Sequence, residues 1–278
     1  MGIGLVLAFT AALAYGASDF VGGTGSRHHS PWGLVLIGQM CGGALMIACG
    51  LAAPADPRAA DFAWALLAGA GSASGSIFLY RGLARGRMGL VAPVSAVGAA
   101  LLPVLVGVAL GERPTWLAWL GVLVALPGIW LVSRGSSAST AGTQGALVDG
   151  AAAGAGFGIL FIALGQVSSD AGFAPLAANQ LFGAAVTVVV AAALGQEWRP
   201  RLGALPWGGA SGALGAAGTV TFLLSTRATG LGVAAVMTSL YPAVTVTLAS
   251  IALGERLRGM QRLGIGMCTL AVATLALG

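Results

Sequence analysis

The chain has 278 residues, of which 57% are hydrophobic and 8% charged, with a mean hydropathy of +0.92. That much apolar surface exceeds what one soluble core can hide, which excludes a water-soluble globular domain. The net charge of +5 comes from 13 arginines and no lysine, placed almost entirely at the ends of apolar runs. Such charges set membrane topology; they do not form a nucleic-acid interface.

Apolar runs of bilayer-spanning helical length fall at 2–22, 31–53, 60–82, 89–110, 115–134, 146–167, 173–194, 204–226, 231–253 and 258–277. Helices satisfy their own backbone groups in lipid, and alternating barrel strands are absent from the pattern. The first run has no basic segment before it, so it reads as a retained helix and not a cleaved signal. Short connections carry the Pro and Gly punctuation, as in Gly111-Glu112-Arg113-Pro114. The one longer linker, rich in Ser, Thr, Gly and Ala, runs from Ser133 to Thr143. Cys41, Cys49 and Cys268 lie inside apolar runs without ligand spacing and read as packing residues.

The halves repeat each other. A shift of 143 residues pairs Ala109-Leu110-Gly111-Glu112-Arg113 with Ala252-Leu253-Gly254-Glu255-Arg256, Trp64 with Trp207, Gly69 with Gly212, and Gly75 with Gly218. At a shift of 141, Gln39 meets Gln180 and Gly42 meets Gly183. Agreement in order across several spans marks an internal duplication. The expected units are a first repeat over 1–136, a linker over 137–144 and a second repeat over 145–278. Five spans per repeat is odd, so the second repeat enters the membrane inverted, an arrangement that recurs in secondary transporters. The expected fold is therefore an all-α integral membrane protein of ten transmembrane helices, as two inverted five-helix repeats around a central cavity, multi-pass in the cell membrane.

The stretch Gly232 to Arg258, with Ser239-Leu240-Tyr241-Pro242 running into Ala252-Leu253-Gly254-Glu255-Arg256-Leu257, resembles the EamA domain of the drug/metabolite transporter superfamily. Val94 to Arg113 is a looser first copy, with its proline at Pro103. The resemblance covers the whole chain and implies a secondary carrier, often an exporter of amino acids, metabolites or toxic compounds. It also implies termini inside the cell. The arginine distribution points the other way, with ten in the odd-numbered gaps against three in the even, so orientation stays open at this stage.

Several polar residues fall within spans. Asp19 lies at or near the end of the first run, with Tyr15 one helical turn earlier on the same face. An ionisable group there reads as a proton-coupling or cation-recognising carboxylate, or else as an interfacial cap paired with Arg27. Gln39 and Gln180 with Asn179 are cavity amides or interhelical glue. Ser76, Tyr80, Thr219, Thr238 and Tyr241 add hydroxyls, and Phe157 an aromatic wall, to a cavity of substrate-binding residues. Pro242 and Pro103 are expected to kink the ninth and fourth spans, freeing the carbonyls of Thr238 and Ala99.

No metal-binding motif and no cofactor fingerprint is present, and the expected partners are membrane lipid, a small-molecule substrate and protons, with no nucleic acid. Monomer and dimer are equally compatible. Rival functions are a channel or facilitative pore and an intramembrane protease, because Gly209-Ala210-Ser211-Gly212 matches the GxSG pattern of rhomboid proteases. The only histidines, His28 and His29, lie in a gap, away from any such serine. The expected activity is thus transport and not catalysis: alternating access by two rocking halves, driven by proton antiport or by the substrate gradient. Amino-acid-like metabolites and hydrophobic drugs fit this composition equally.

Overall fold

A computed structural model describes residues 2–52, 55–85, 88–109, 115–134, 140–229, 238, 241–254 and 259–277. Within these, regular structure is helical: α1 (Gly2–Gly25), α2 (Pro31–Ala52), α3 (Ala59–Ala84), α4 (Met88–Ala109), α5 (Trp116–Arg134), α6 (Thr140–Leu164), α7 (Ala174–Ala193), α8 (Leu205–Thr229), α9 (Tyr241–Ala252) and α10 (Gly259–Leu277). Single 3-10 turns at Ser169–Ala171 and Leu202–Ala204 lead into α7 and α8. Among the described residues, Ile3–Gly25, Pro31–Ala52, Ala59–Ala84, Gly142–Leu164 and Ala174–Ala193 are long and apolar enough to cross a membrane. Shorter apolar stretches lie at Gly89–Ala99, Trp119–Gly128 and Tyr241–Ala252.

One boundary differs instructively from expectation. Helix α6 starts at Thr140 and so takes up much of the segment read as linker. Hydropathy marks only the part of a helix that suits lipid, whereas helical hydrogen bonding continues through polar helix formers such as Gln144. Pro242 lies in α9, and the residues before it on which a kink would fall, 239–240, are outside the described residues. Pro103 lies within α4, but its side chain is outside the described set, as are Glu112, Arg113, Glu255 and Arg256.

The repeats interleave. The closest helix pairs are α1 with α8, α3 with α6, α5 with α10, α4 with α6, and α2 and α3 with α7, each joining one repeat to the other. Exchanging α1–α5 for α6–α10 maps α1/α8 onto α3/α6 and leaves α2/α7 and α5/α10 unchanged, as a two-fold relation requires. The main packing partners of each repeat belong to the other.

Glycine makes this interleaving possible. A Cβ on Gly212 of α8 would stand 2.8 Å from the Cα of Gly38 in α2, and one on Gly156 of α6 would stand 2.7 Å from the Cα of Gly75 in α3. In lipid, close approach of this kind supplies packing that the hydrophobic effect does not. Gly212→Ala should therefore lower the melting temperature in detergent, by an amount matching an overpacking cost of about 1–3 kcal/mol. Gly209→Ala, where an added Cβ meets nothing within 4 Å, should leave melting unchanged or slightly raised.

Candidate functional site

The site is organised by one face of α1. Tyr15, Asp19 and Gly22 follow at helical spacing and so lie in one stripe. A glycine at 22 leaves room for the ring of Tyr80 from α3; a Cβ there would come within 2.6 Å of the ring's Cε1. The ring of Tyr15 lies on Gly218 of α8, at 2.9 Å from where a Cβ would be, and packs edge-on against Tyr241 of α9 with centroids 6.5 Å apart. The three tyrosines of the chain all lie within electrostatic reach of Asp19. Asp19 itself is only partly buried and makes no hydrogen bond or ion pair with a described residue. The expected alternative of an Asp19–Arg27 pair is thus not what the structure holds.

Hydroxyls around this stripe bond to one another. The Tyr15 hydroxyl pairs with Thr219 Oγ1 at 3.0 Å, and Thr219 also donates to the carbonyl of Gly215 in its own helix. Ser18 and Ser211 are joined reciprocally: Ser18 Oγ donates to the Ser211 carbonyl at 2.8 Å, and Ser211 Oγ reaches the Ser18 carbonyl at 3.1 Å. The Tyr80 hydroxyl closes the group on Ser211 Oγ at 2.5 Å. Ser211, the serine of the GxSG match, is therefore a strut between α1, α3 and α8. Helix α9 is tied in by Thr245, whose Oγ1 donates to the Gly16 carbonyl at 3.1 Å, and Thr238 reaches the Ala8 carbonyl at 3.4 Å. Ser76 lies one turn before Tyr80 on α3.

The amides form a second group, between α2 and α7. Gln39 lies against Gly183 and Gln180 against Gly42, so each glutamine covers the glycine paired with the other by the repeat. Both amide atoms of Gln39, which is 5% exposed, and Oδ1 of Asn179 are buried without a hydrogen-bond partner among the described residues. The two groups adjoin through α8, since Gly38 meets Gly212 beside Ser211. Phe157 sits apart, on Gly75 at the α3/α6 contact, where it is the counterpart of Tyr15 on Gly218.

Sequence reasoning missed Asp149. It is 1% exposed in α6 and held by Arg81 and Arg85 of α3, through Arg81 Nε at 2.9 Å and Arg85 Nη1 at 2.5 Å. Arg81 also stacks over Phe78 at 4.6 Å. A cleft of about 380 Å³ opens beside them. The repeat hid this cluster, because residues 6, 224 and 228 at the equivalent positions are Val, Leu and Ala. Asp61 was missed as well. At the opposite end of α3 it accepts from the Arg58 and Ser168 backbone N–H groups, each at 2.8 Å, and from Ser168 Oγ at 2.9 Å.

Among the described residues the chain is a helical bundle whose two repeats interleave, and a carboxylate with no bonded partner among them lies at their junction. The profile of the EamA-like transporter family matches residues 2–134 and again 146–277, and the chain belongs to that family. Eleven chains of solved structure match it. One, described only as a crystal structure of a protein, superposes with a TM-score of 0.67 at 18% identity over 99% of this chain and 98% of that one. No curated protein sequence matches.

Asp149→Asn should lower stability by about 1–3 kcal/mol, as loss of charged hydrogen bonds does when the arginines, half exposed, regain water. A double-mutant cycle with Arg85→Gln, read by thermal melting, should return a coupling of the same sign.

Proposed function

We propose that this transporter is a ten-span secondary carrier that exports small organic solutes by alternating access, with Asp19 as its coupling carboxylate. One observation carries the reading: Asp19 stands between helices of both repeats with no partner among the described residues, while Asp61 and Asp149 are fully bonded. An ionised group at this depth needs a counter-charge. A proton or a cationic part of the solute supplies it in turn, which ties the two movements together.

Tyr15, Tyr80, Thr219, Tyr241 and Thr238 line the solute's side of this site in the proposal. Gln39 and Asn179 offer amide atoms unpartnered among the described residues, and Gln180 a further amide, to a polar extension between α2 and α7. Access alternates by parting contacts at one membrane face at a time. The chain direction of the helices puts the Asp149 pairs and the bond from Ser30 Oγ to the Glu197 carbonyl on one face. The Asp61–Ser168 bonds and the bond from Ser225 Oγ to the Gly4 carbonyl fall on the other. Because the repeats interleave, the moving units are helix pairs such as α1/α8 and α3/α6.

Counterflow in proteoliposomes tests the carrier: solute preloaded on the trans side should accelerate uptake, which a pore would not show. Asp19→Asn should abolish proton-driven accumulation and flatten the pH dependence of transport. Unchanged transport and pH profile in that variant would sink the coupling role.

A further inference from the structure

We propose that the cleft between α3 and α6 binds a phosphate oxyanion, which reaches it as the headgroup of an anionic phospholipid or as a soluble phosphate. The site is separate from Asp19 and independent of how the solute moves.

Charges at this joint do not balance. Asp149 is one carboxylate between two guanidiniums, and the other residues lining the cleft, Gln144, Gly145 and Val148, are uncharged. One positive charge is left over. Hydrogen-bond donors are left over as well. Asp149 takes Arg81 through Nε and Nη2, but Arg85 through Nη1 alone. Nε and Nη2 of Arg85 bond to no described residue, so one edge of its planar fork is unspent.

The carboxylate holds both arginines ready for an anion. Asp149 is 1% exposed and fully engaged, whereas Arg81 and Arg85 keep 43% and 49% of their side-chain surface open. Arg81 is steadied further by the ring of Phe78 beneath it. Long side chains fixed in this way have already lost the rotamer freedom that binding would otherwise cost. Guanidinium forks match phosphate oxygens closely, and a tetrahedral phosphate can offer oxygens to both arginines at once.

Shape and surroundings fit the same ligand. The cleft of about 380 Å³ falls within the range of small-ligand sites. Gly145 keeps it open, since a Cβ there would stand 3.2 Å from Arg85 Nη1. Gln144 adds an exposed amide at the rim, and Val148, 56% exposed, an apolar edge beside the charged floor. An oxyanion carrying hydrocarbon suits that combination. The odd-numbered gaps, to which Arg81 and Arg85 belong, hold ten of the 13 arginines, so this face draws anions toward it. In the other repeat the matching positions hold Leu224, Ala228 and Val6, so one phosphate per chain is expected.

The test is native mass spectrometry of the full chain, released from non-ionic detergent micelles that contain equal amounts of phosphatidylglycerol and phosphatidylcholine. One phosphatidylglycerol per chain should be retained, preferred about fivefold or more over phosphatidylcholine. Arg85→Gln should lower retention about fivefold. Gln144→Glu, which sets a negative charge at the exposed rim, should lower it about threefold or more. Arg199→Gln, on the same face but outside the cleft, should stay within about twofold. In a second arm, inorganic phosphate and glycerol 3-phosphate are titrated into lipid-free protein. Arg85-dependent binding of either without lipid retention keeps the site and assigns it to a soluble phosphate. Arg85-dependent retention of lipid without a response to soluble phosphate assigns it to the membrane. Should Arg85→Gln fold poorly, Gln144→Glu decides in its place. Equal retention of both lipids with no binding of soluble phosphate, or indifference to both substitutions, overturns the proposal.

Discussion

Backbone-to-backbone approach of helices from different repeats is the contact on which the rest of this structure depends. Gly212 against Gly38 and Gly156 against Gly75 let α8 lie on α2, and α6 on α3, at distances that a Cβ on Gly212 or Gly156 would forbid. Lipid tails are as apolar as leucine, so no solvent drives these helices together; shape and close contact must do it. Everything polar in the bundle then depends on that approach. Ser18 can reach the carbonyl of Ser211 only because α1 and α8 run in contact.

A two-fold scaffold has been decorated asymmetrically. Each repeat presses an aromatic ring on the matching glycine of the other, Tyr15 on Gly218 and Phe157 on Gly75. Beyond that shared contact the chemistry diverges. The α1/α8 side carries the serine pair and Asp19, whereas the α3/α6 side carries Leu160 and Phe161 in their places and buries its acid further along, at Asp149. Duplication thus supplied the geometry, and later divergence supplied one polar site and one ion-paired joint.

The carboxylates of the bundle differ in how far their surroundings satisfy them. Asp61 accepts three hydrogen bonds at the start of α3, and Asp149 is held by two arginines. Either is satisfied where it stands, which makes it a fastening. Asp19 has aromatic rings for neighbours and no fastening among the described residues. An ionisable group left without such bonds inside an apolar span is costly.

Much was readable from the chain alone. Apolar run lengths located most of the described helix ends to within a few residues, because bilayer thickness sets helix length, though α6 begins well before its run. The shift of the sequence on itself exposed the two repeats, and the family resemblance rested on residues such as Ser239-Leu240-Tyr241-Pro242. Spacing also placed Tyr15 and Asp19 on one face, a consequence of helical periodicity. Tertiary structure decided the rest. That Tyr80 and Tyr241 join them, while Gln39 and Gln180 pair with glycines between α2 and α7, depends on which helices touch, and hydropathy is blind to that. Asp149 found its arginines 64 and 68 residues away in sequence for the same reason. The interleaving of the repeats was likewise invisible, since a linear pattern records where helices are and not which repeat each one leans on.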